Sequence, residues 1–137
     1  MNKEPIIIQF DEDESFFTVV ELICFNMGLK MSATAKNIEQ ARAIVKRIET
    51  KQLNPDIAII SDYLGNSFQD GSILTKKLKS LNPNIKIISY VTDPETDWGD
   101  LLALKGSKSA EKTMTMALEE LTGKRFKASN IPESEVE

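Results

Sequence analysis

The stretch "IIIQFDEDES", residues 6–15, decides how the chain is read: four of its first five side chains are apolar, and then four carboxylates stand in a row from Asp11 to Glu14. The apolar run over residues 5–10 reads as a short buried strand. Four adjacent carboxylates repel one another. Such a cluster is either a solvated loop after the strand or a place where a cation is shared. The rest of the chain decides between the two.

Downstream, Phe16, Val19, Val20, Ile23 and Met27 recur at helical spacing from Ser15, and Gly28 offers a stop. "LKMSATA" alternates weakly as a second strand. Asn37 is placed to cap a second helix whose Ile38, Ala41, Ile44, Val45 and Ile48 share one face. "NPDIAIISD" gives a turn and a third buried strand ending on Asp62. "SILTKKLKSL" then predicts a helix with Ile73, Leu74, Leu78 and Leu81 inward, and "NPN" breaks it. "IKIISYV" is the fourth strand and "TDPETDWGD" is turn-rich. "LLALKG" fits either a fifth strand or the end of a short helix. Ser109 caps a final helix with Met114, Ala117, Leu118 and Leu121 on one side, and Met114 and Met116 are expected in packing. The tail from Lys124 to Glu137 is polar and aperiodic, and is expected to be disordered. No internal repeat is visible.

At 137 residues and 41% hydrophobic content, one domain with a real core is expected. The net charge of −4 opposes a general nucleic-acid or membrane-surface binder, since phosphate backbones and anionic lipids repel an acidic body. The lone cysteine, Cys24, sits in an apolar run and excludes an intrachain disulfide framework. With neither a leader-like start nor a membrane-length apolar run, the cytoplasm is expected.

Alternating strands and helices imply a parallel sheet covered on both faces, with its ligand crevice at the carboxyl ends of the strands. Those ends carry Asp11, Glu12 and Asp13 on strand one, Asp62 on strand three, Ser89 on strand four and Lys105 on the candidate fifth. A right-handed sheet in the order 2-1-3-4-5 would gather them at one edge. Their chemistry suits phosphoryl transfer. Carboxylates hold a hard cation such as Mg²⁺, an aspartate can accept the group as an acyl phosphate, and a hydroxyl and an ammonium can bind the new oxygens.

Over roughly residues 5–123 the chain resembles response-regulator receiver domains. The resemblance rests on the acidic pair Asp11 and Glu12 after strand one, "PDIAIISDY" around Asp62, the Gly71-led helix, "NPNIKIIS" ending on Ser89, and "AKNIEQA" at the turn into helix two. It implies a flavodoxin-like, doubly wound five-stranded parallel sheet over residues 1–123, followed by the tail 124–137. It also implies that Asp62 is the phospho-acceptor and a ligand of Mg²⁺, that Glu12 binds the metal directly and Asp11 through water, and that Leu64 lends a backbone carbonyl. Ser89 would be the switch hydroxyl and Lys105 the active-site lysine. Lys108 is the other candidate, and Lys105 is preferred because it directly follows "LLAL". The implied partners are a sensor histidine kinase or phosphotransfer protein and a downstream protein, with no nucleic acid and no membrane. The chain contains no histidine, so it cannot relay the phosphoryl group through one of its own. It would not be an enzyme beyond removing its own phosphoryl group.

Several features depart from the family pattern. The Ser89–Lys105 interval is short, so helix four is expected to be abbreviated or irregular; no proline follows the lysine; and Ala103 stands where many receivers carry an aromatic. Tyr90 and Trp98 read most simply as partly buried packing residues, although Tyr90 stands where a small residue is usual and would there narrow access to Asp62. Two alternatives stay open. One is a pseudo-receiver that binds partners without phosphorylation. The other is a Mg²⁺-dependent phosphatase of the haloacid-dehalogenase type, with Asp11 as nucleophile and Asp13 as acid/base.

Overall fold

The computed structural model describes residues 4–62, 71–106 and 110–126. Its elements run β1 (Ile7–Phe10), α1 (Ser15–Asn26), β2 (Met31–Ala35), α2 (Ile38–Glu49), β3 (Ile57–Ser61), α3 (Gly71–Leu81), β4 (Lys86–Val91), β5 (Leu101–Leu104) and α4 (Ala110–Thr122). The strands form one parallel sheet in the order β2-β1-β3-β4-β5, as expected from the sequence. Among the described residues no helix is long and apolar enough to cross a membrane.

Strand alternation divides the core into two layers. Ile7, Ile57, Ile59, Ile88, Tyr90 and Ala103 face α1 and α4, where they meet Val20, Ile23, Cys24, Met114 and Leu118. Ile8, Phe10, Ala58, Ile60 and Ile87 face α2 and α3 and meet Ala41, Ile44, Leu74 and Leu78. β1 and β3 are buried along their whole length, which explains why they read as near-continuous apolar runs, interrupted only by Gln9 and Ser61. Asn37 caps α2 as expected, its Oδ1 accepting from Gln40 N at 2.9 Å. Gly28 ends α1 with φ at +74°, a conformation that costs other residues a steric clash.

α3 departs from the expected pattern in one respect. Ile73 is 52% exposed, while Thr75 is buried beside Leu74 and Leu78. Each residue turns about 100° round a helix, so the stripe set by Leu74 and Leu78 leaves Ile73 on its flank. In α4, Met114 is core while Met116 is exposed. Phe126, beyond the expected boundary at 123, packs against the α1/α4 layer, and its N–H donates to Glu119 Oε2 at 3.0 Å.

"LLAL" is a strand, and the abbreviation of helix four is complete: residues 92–100 contain no helix. A parallel connection normally takes a dozen or more residues and a helix. Here a short strap does the work. Asp93 turns it, accepting from Glu95 N on Oδ1 (2.9 Å) and from Thr96 N on its carbonyl (3.1 Å). Trp98 then packs into the α2/α3 layer, and Gly99 lies over Ser89. Asp100 closes the strap: its N–H donates to Ile87 O, its carboxylate accepts from Ile87 N, both at 2.8 Å, and Lys79 Nζ binds the carboxylate at 2.9 Å. Partial burial pushes the Asp100 carboxyl up, but the Ile87 N–H and the Lys79 and Lys86 charges outweigh that and hold it below its ordinary range.

The outer edge of β5 is capped at its last residue. Lys105 N donates to Val91 O, so Leu104 turns its own N–H and carbonyl away from β4. The Thr113 hydroxyl accepts from that N–H at 2.8 Å and donates to that carbonyl at 3.1 Å.

Trp98 reaches its place only because residue 71 has no side chain. A methyl there would sit inside the indole and 2.7 Å from Ser61 O. Gly71→Ala is therefore expected to lower stability by about 1–3 kcal/mol, the usual range for overpacking. Urea unfolding measures the loss, and a shift of Trp98 emission in the native state locates it.

Candidate functional site

The carboxyl edges of β1, β3 and β5 hold a connected polar group. Phe10 pairs with Ile60, so Asp11 follows β1 as Ser61 closes β3, and Glu12 and Asp62 are the next residues on each. Asp11 lies on the same side of β1 as Ile7 and Gln9, toward α1 and α4. Lys105, directly after β5, reaches across to it: Nζ stands 2.6 Å from Asp11 Oδ2 and donates to Ser61 Oγ at 3.0 Å. Ser61 in turn donates to Asp62 Oδ1 over a long 3.4 Å. Asp62 is half-buried at the mouth of the crevice.

The ion pair is buried. The Asp11 side chain is 1% exposed and that of Lys105 9%. Two rings line the lysine, Phe16 with its centroid 4.4 Å from Nζ and Tyr90 at 5.5 Å. These rings pack edge to face, 5.3 Å apart. An ammonium over aromatic faces recovers part of its lost hydration. Burial pushes the Asp11 carboxyl above its usual range, against the pull of Lys105 and of the Asp13 N–H, which donates to Oδ1 at 3.0 Å.

The four consecutive acids thus have separate surroundings. Asp11 is buried on Lys105, and Glu12 is exposed. Asp13 Oδ1 accepts from Ser15 Oγ and N, which holds its carboxyl below the ordinary range and starts α1. Glu14 pairs with Lys36 at 2.7 Å.

Ser89 does not join this group. It pairs with Ile60 inside β4, two residues before the strand ends at Val91. Alternation turns it toward the α2/α3 layer, beneath Gly99 and away from Lys105. The hydroxyl at the end of β4 is that of Thr92, which is exposed. Tyr90 does not stand over Asp62 either. It is fully buried, and its hydroxyl donates to Ala110 O at 3.2 Å. Burial, with the Asp11 and Glu111 charges, pushes its phenol well up. Sequence reading missed Ser61, Phe16 and Thr92. Ser61 could have been found by alternation, since Ile57, Ile59 and Ser61 share the face of Ile7 and Asp11. Leu64 and Lys108 lie outside the described residues. Cys24 is structural, its thiol pushed up to about 12 by burial and the Glu21 charge.

Asp11, Glu12 and Asp62 supply hard carboxylate oxygens on adjacent strands, the donor chemistry that suits Mg²⁺. Among the described residues, however, no three acidic side chains converge, and both Asp11 oxygens have partners. Each of these oxygens keeps a further lone pair, so Asp11 could still act on a cation through water with Lys105 in place.

Lys105→Met would leave Asp11 buried without a countercharge, a loss expected at about 3–5 kcal/mol near neutral pH. Because burial raises the folded pKa of Asp11 above the ordinary 3.8, protonation favours the folded state, and that stability is lost as pH rises through the folded value. In the parent Lys105 supplies the larger part of what opposes this effect of burial, and in the variant only the Asp13 N–H remains to do so. The gap between them should therefore narrow on acidification through the raised value. Urea unfolding across that window measures it, and a gap independent of pH would refute the pairing.

No protein-family model matches the chain, and no curated protein matches it in sequence. Solved structures do match. The CheY-like response regulator receiver domain protein of Methanospirillum hungatei JF-1 superposes with a TM-score of 0.67 at 16% identity, covering 87% of this chain and 94% of that one. The signal receiver domain of an HD domain-containing protein from Pseudomonas fluorescens Pf-5 gives 0.68 at 14%, covering 87% and 94%. The signal receiver domain of a modulated diguanylate cyclase from Desulfovibrio desulfuricans G20, described as an example of alternate folding, gives 0.68 at 16%, covering 88% and 95%. The chain has the receiver-domain fold.

Proposed function

We propose that the chain is a phospho-acceptor switch: Asp62 takes a phosphoryl group from a phosphohistidine of a sensor kinase or phosphotransfer protein, with Mg²⁺ as cofactor, and a downstream protein reads the altered surface. The observation that carries this reading is the chain of contacts from half-exposed Asp62 through Ser61 to the buried Lys105 ammonium. It puts a cation within two hydrogen bonds of a carboxylate at the open edge of a parallel sheet, where such folds bind ligands.

In this reading an Asp62 oxygen attacks phosphorus, the bond from phosphorus to the donor's imidazole nitrogen breaks, and that nitrogen takes a proton from water. Lys105 is placed to swing from Asp11 toward the new phosphoryl oxygens, and Ser61 holds it on the Asp62 side. Thr92, at the end of β4, takes the place expected for Ser89 as the available hydroxyl. Asp11, Glu12 and Asp62 would hold Mg²⁺, which when bound would neutralise charge on the phosphoryl oxygens. The chain acts on no other substrate, at most returning its own phosphoryl group to water, and it works in the cytoplasm through protein contacts.

A second reading has its own support. Among the described residues no three acidic side chains converge, and Asp11 is paired with Lys105, which suits a pseudo-receiver that keeps the fold without the chemistry. Mass spectrometry of the intact chain with acetyl phosphate and Mg²⁺ separates the two. One added phosphoryl group, dependent on the metal and absent in Asp62→Asn, is the expected result. No modification of the folded chain would favour the pseudo-receiver, and modification that survives in Asp62→Asn but vanishes in Asp11→Asn would favour the phosphatase alternative.

A further inference from the structure

Charge is unevenly distributed over this molecule. The chain carries −4 overall, yet α2 and α3 together hold six Lys and Arg against two Glu. The two helices lie side by side and bound a groove of about 410 Å³, with Val45 and Ile73 on its floor and Arg42, Lys46, Lys77 and Glu49 on its rim. Glu49 is 3.4 Å from Lys77 and answers its charge. Arg42 and Lys46 have no ion-pair partner among the described residues, and both are exposed.

Ile73 adds an independent observation. It stands 52% exposed on α3, lining the same groove as those cations. A branched aliphatic there gives no helix propensity advantage over Lys or Gln and leaves apolar surface in water. Apolar floor and cationic rim together match a ligand with the converse pattern.

We infer that the α2–α3 groove docks an acidic peptide segment of a partner protein, a branched aliphatic side chain of that segment covering Ile73 and Val45 while its carboxylates meet Arg42 and Lys46. Charge complementarity chooses this occupant: the rim attracts acids, raises the association rate and rejects basic segments. A nucleic acid is disfavoured because the apolar floor of Val45 and Ile73 offers nothing to a phosphate backbone, whereas it can cover an aliphatic side chain. The groove lies on the sheet face opposite the side chains of Asp11 and Lys105. It is independent of the phosphoryl reading and stands or falls without it.

The test uses the full chain and a fluorescent amphipathic peptide with Glu and Asp on one side and Leu on the other, beside a counterpart with Lys replacing every acid. The acidic peptide should bind, perturbing backbone amides confined to α2 and α3, and the basic one should not. Arg42→Glu with Lys46→Glu should weaken binding at least about tenfold, the scale of a desolvated charge contact. Ile73→Ser should weaken it severalfold. All three positions are exposed, so folding should survive, and circular dichroism checks that it does. Absent binding, equal binding of both peptides, or indifference to the charge reversal would overturn the proposal. So would displacement of the peptide by a single-stranded oligonucleotide, or shifts of the same amides when the chain is cut after Phe126, which would assign the groove to the chain's own terminal segment.

Discussion

A buried carboxylate and a buried ammonium, each costly alone, are tolerated here because they meet. Asp11 ends β1 and Lys105 follows β5, strands separated in the sheet by β3 and β4. Their 2.6 Å contact spans the carboxyl edge of the sheet. Desolvating two ions costs several kcal/mol each, and Coulomb attraction alone often fails to recover that. Three further features narrow the deficit: the Phe16 and Tyr90 rings around the lysine, the Ser61 hydroxyl as a second acceptor, and the Asp13 N–H on the free oxygen of Asp11. The geometry of the edge depends on these contacts being made together.

The missing crossover helix bears on the same edge. With only nine residues between β4 and β5, the connection cannot build a helical layer over the sheet. Trp98 substitutes bulk for length, filling the space above Gly71, and Asp100 pins the end of the strap to Ile87. The pairing of β5 with β4, Val91 beside Leu104 and the Lys105 N–H on Val91 O, fixes the height at which Lys105 meets the Asp11 carboxylate.

Much of this was legible in the sequence because the relevant signals are local. Near-continuous apolar runs identified β1 and β3, Asn37 gave the α2 cap, and the Gly28 stop ended α1. The acids after β1, Asp62 after β3 and Lys105 after "LLAL" were placed correctly on the strand edges. What failed was the placement of Ser89. The apolar run "IKIISYV" already carried the strand two residues past Ser89, and its choice as the terminal hydroxyl rested on the resemblance rather than on the strand's end. Alternation along β4 turns Tyr90 into the α1/α4 layer. Ile73 misled for a different reason: apolar character was taken as burial, although the groove beside it leaves the side chain uncovered.

One cation serving two acceptors has a consequence for how the site can behave. Lys105 holds Asp11 directly and is tied through Ser61 to Asp62, so its position reports the balance of charge between the two carboxylates. Added negative charge at Asp62 would draw the ammonium toward β3, and Asp11, pushed up by burial and relieved of its partner, would then need a proton or a metal ion. Phe16 and Tyr90 lie against the ammonium on its present side, so its departure would remove a cation from two packed rings at the start of α1 and the top of β4. Charge added at half-buried Asp62 would thereby reach packing in the α1/α4 layer without a helix between β4 and β5 to carry the change.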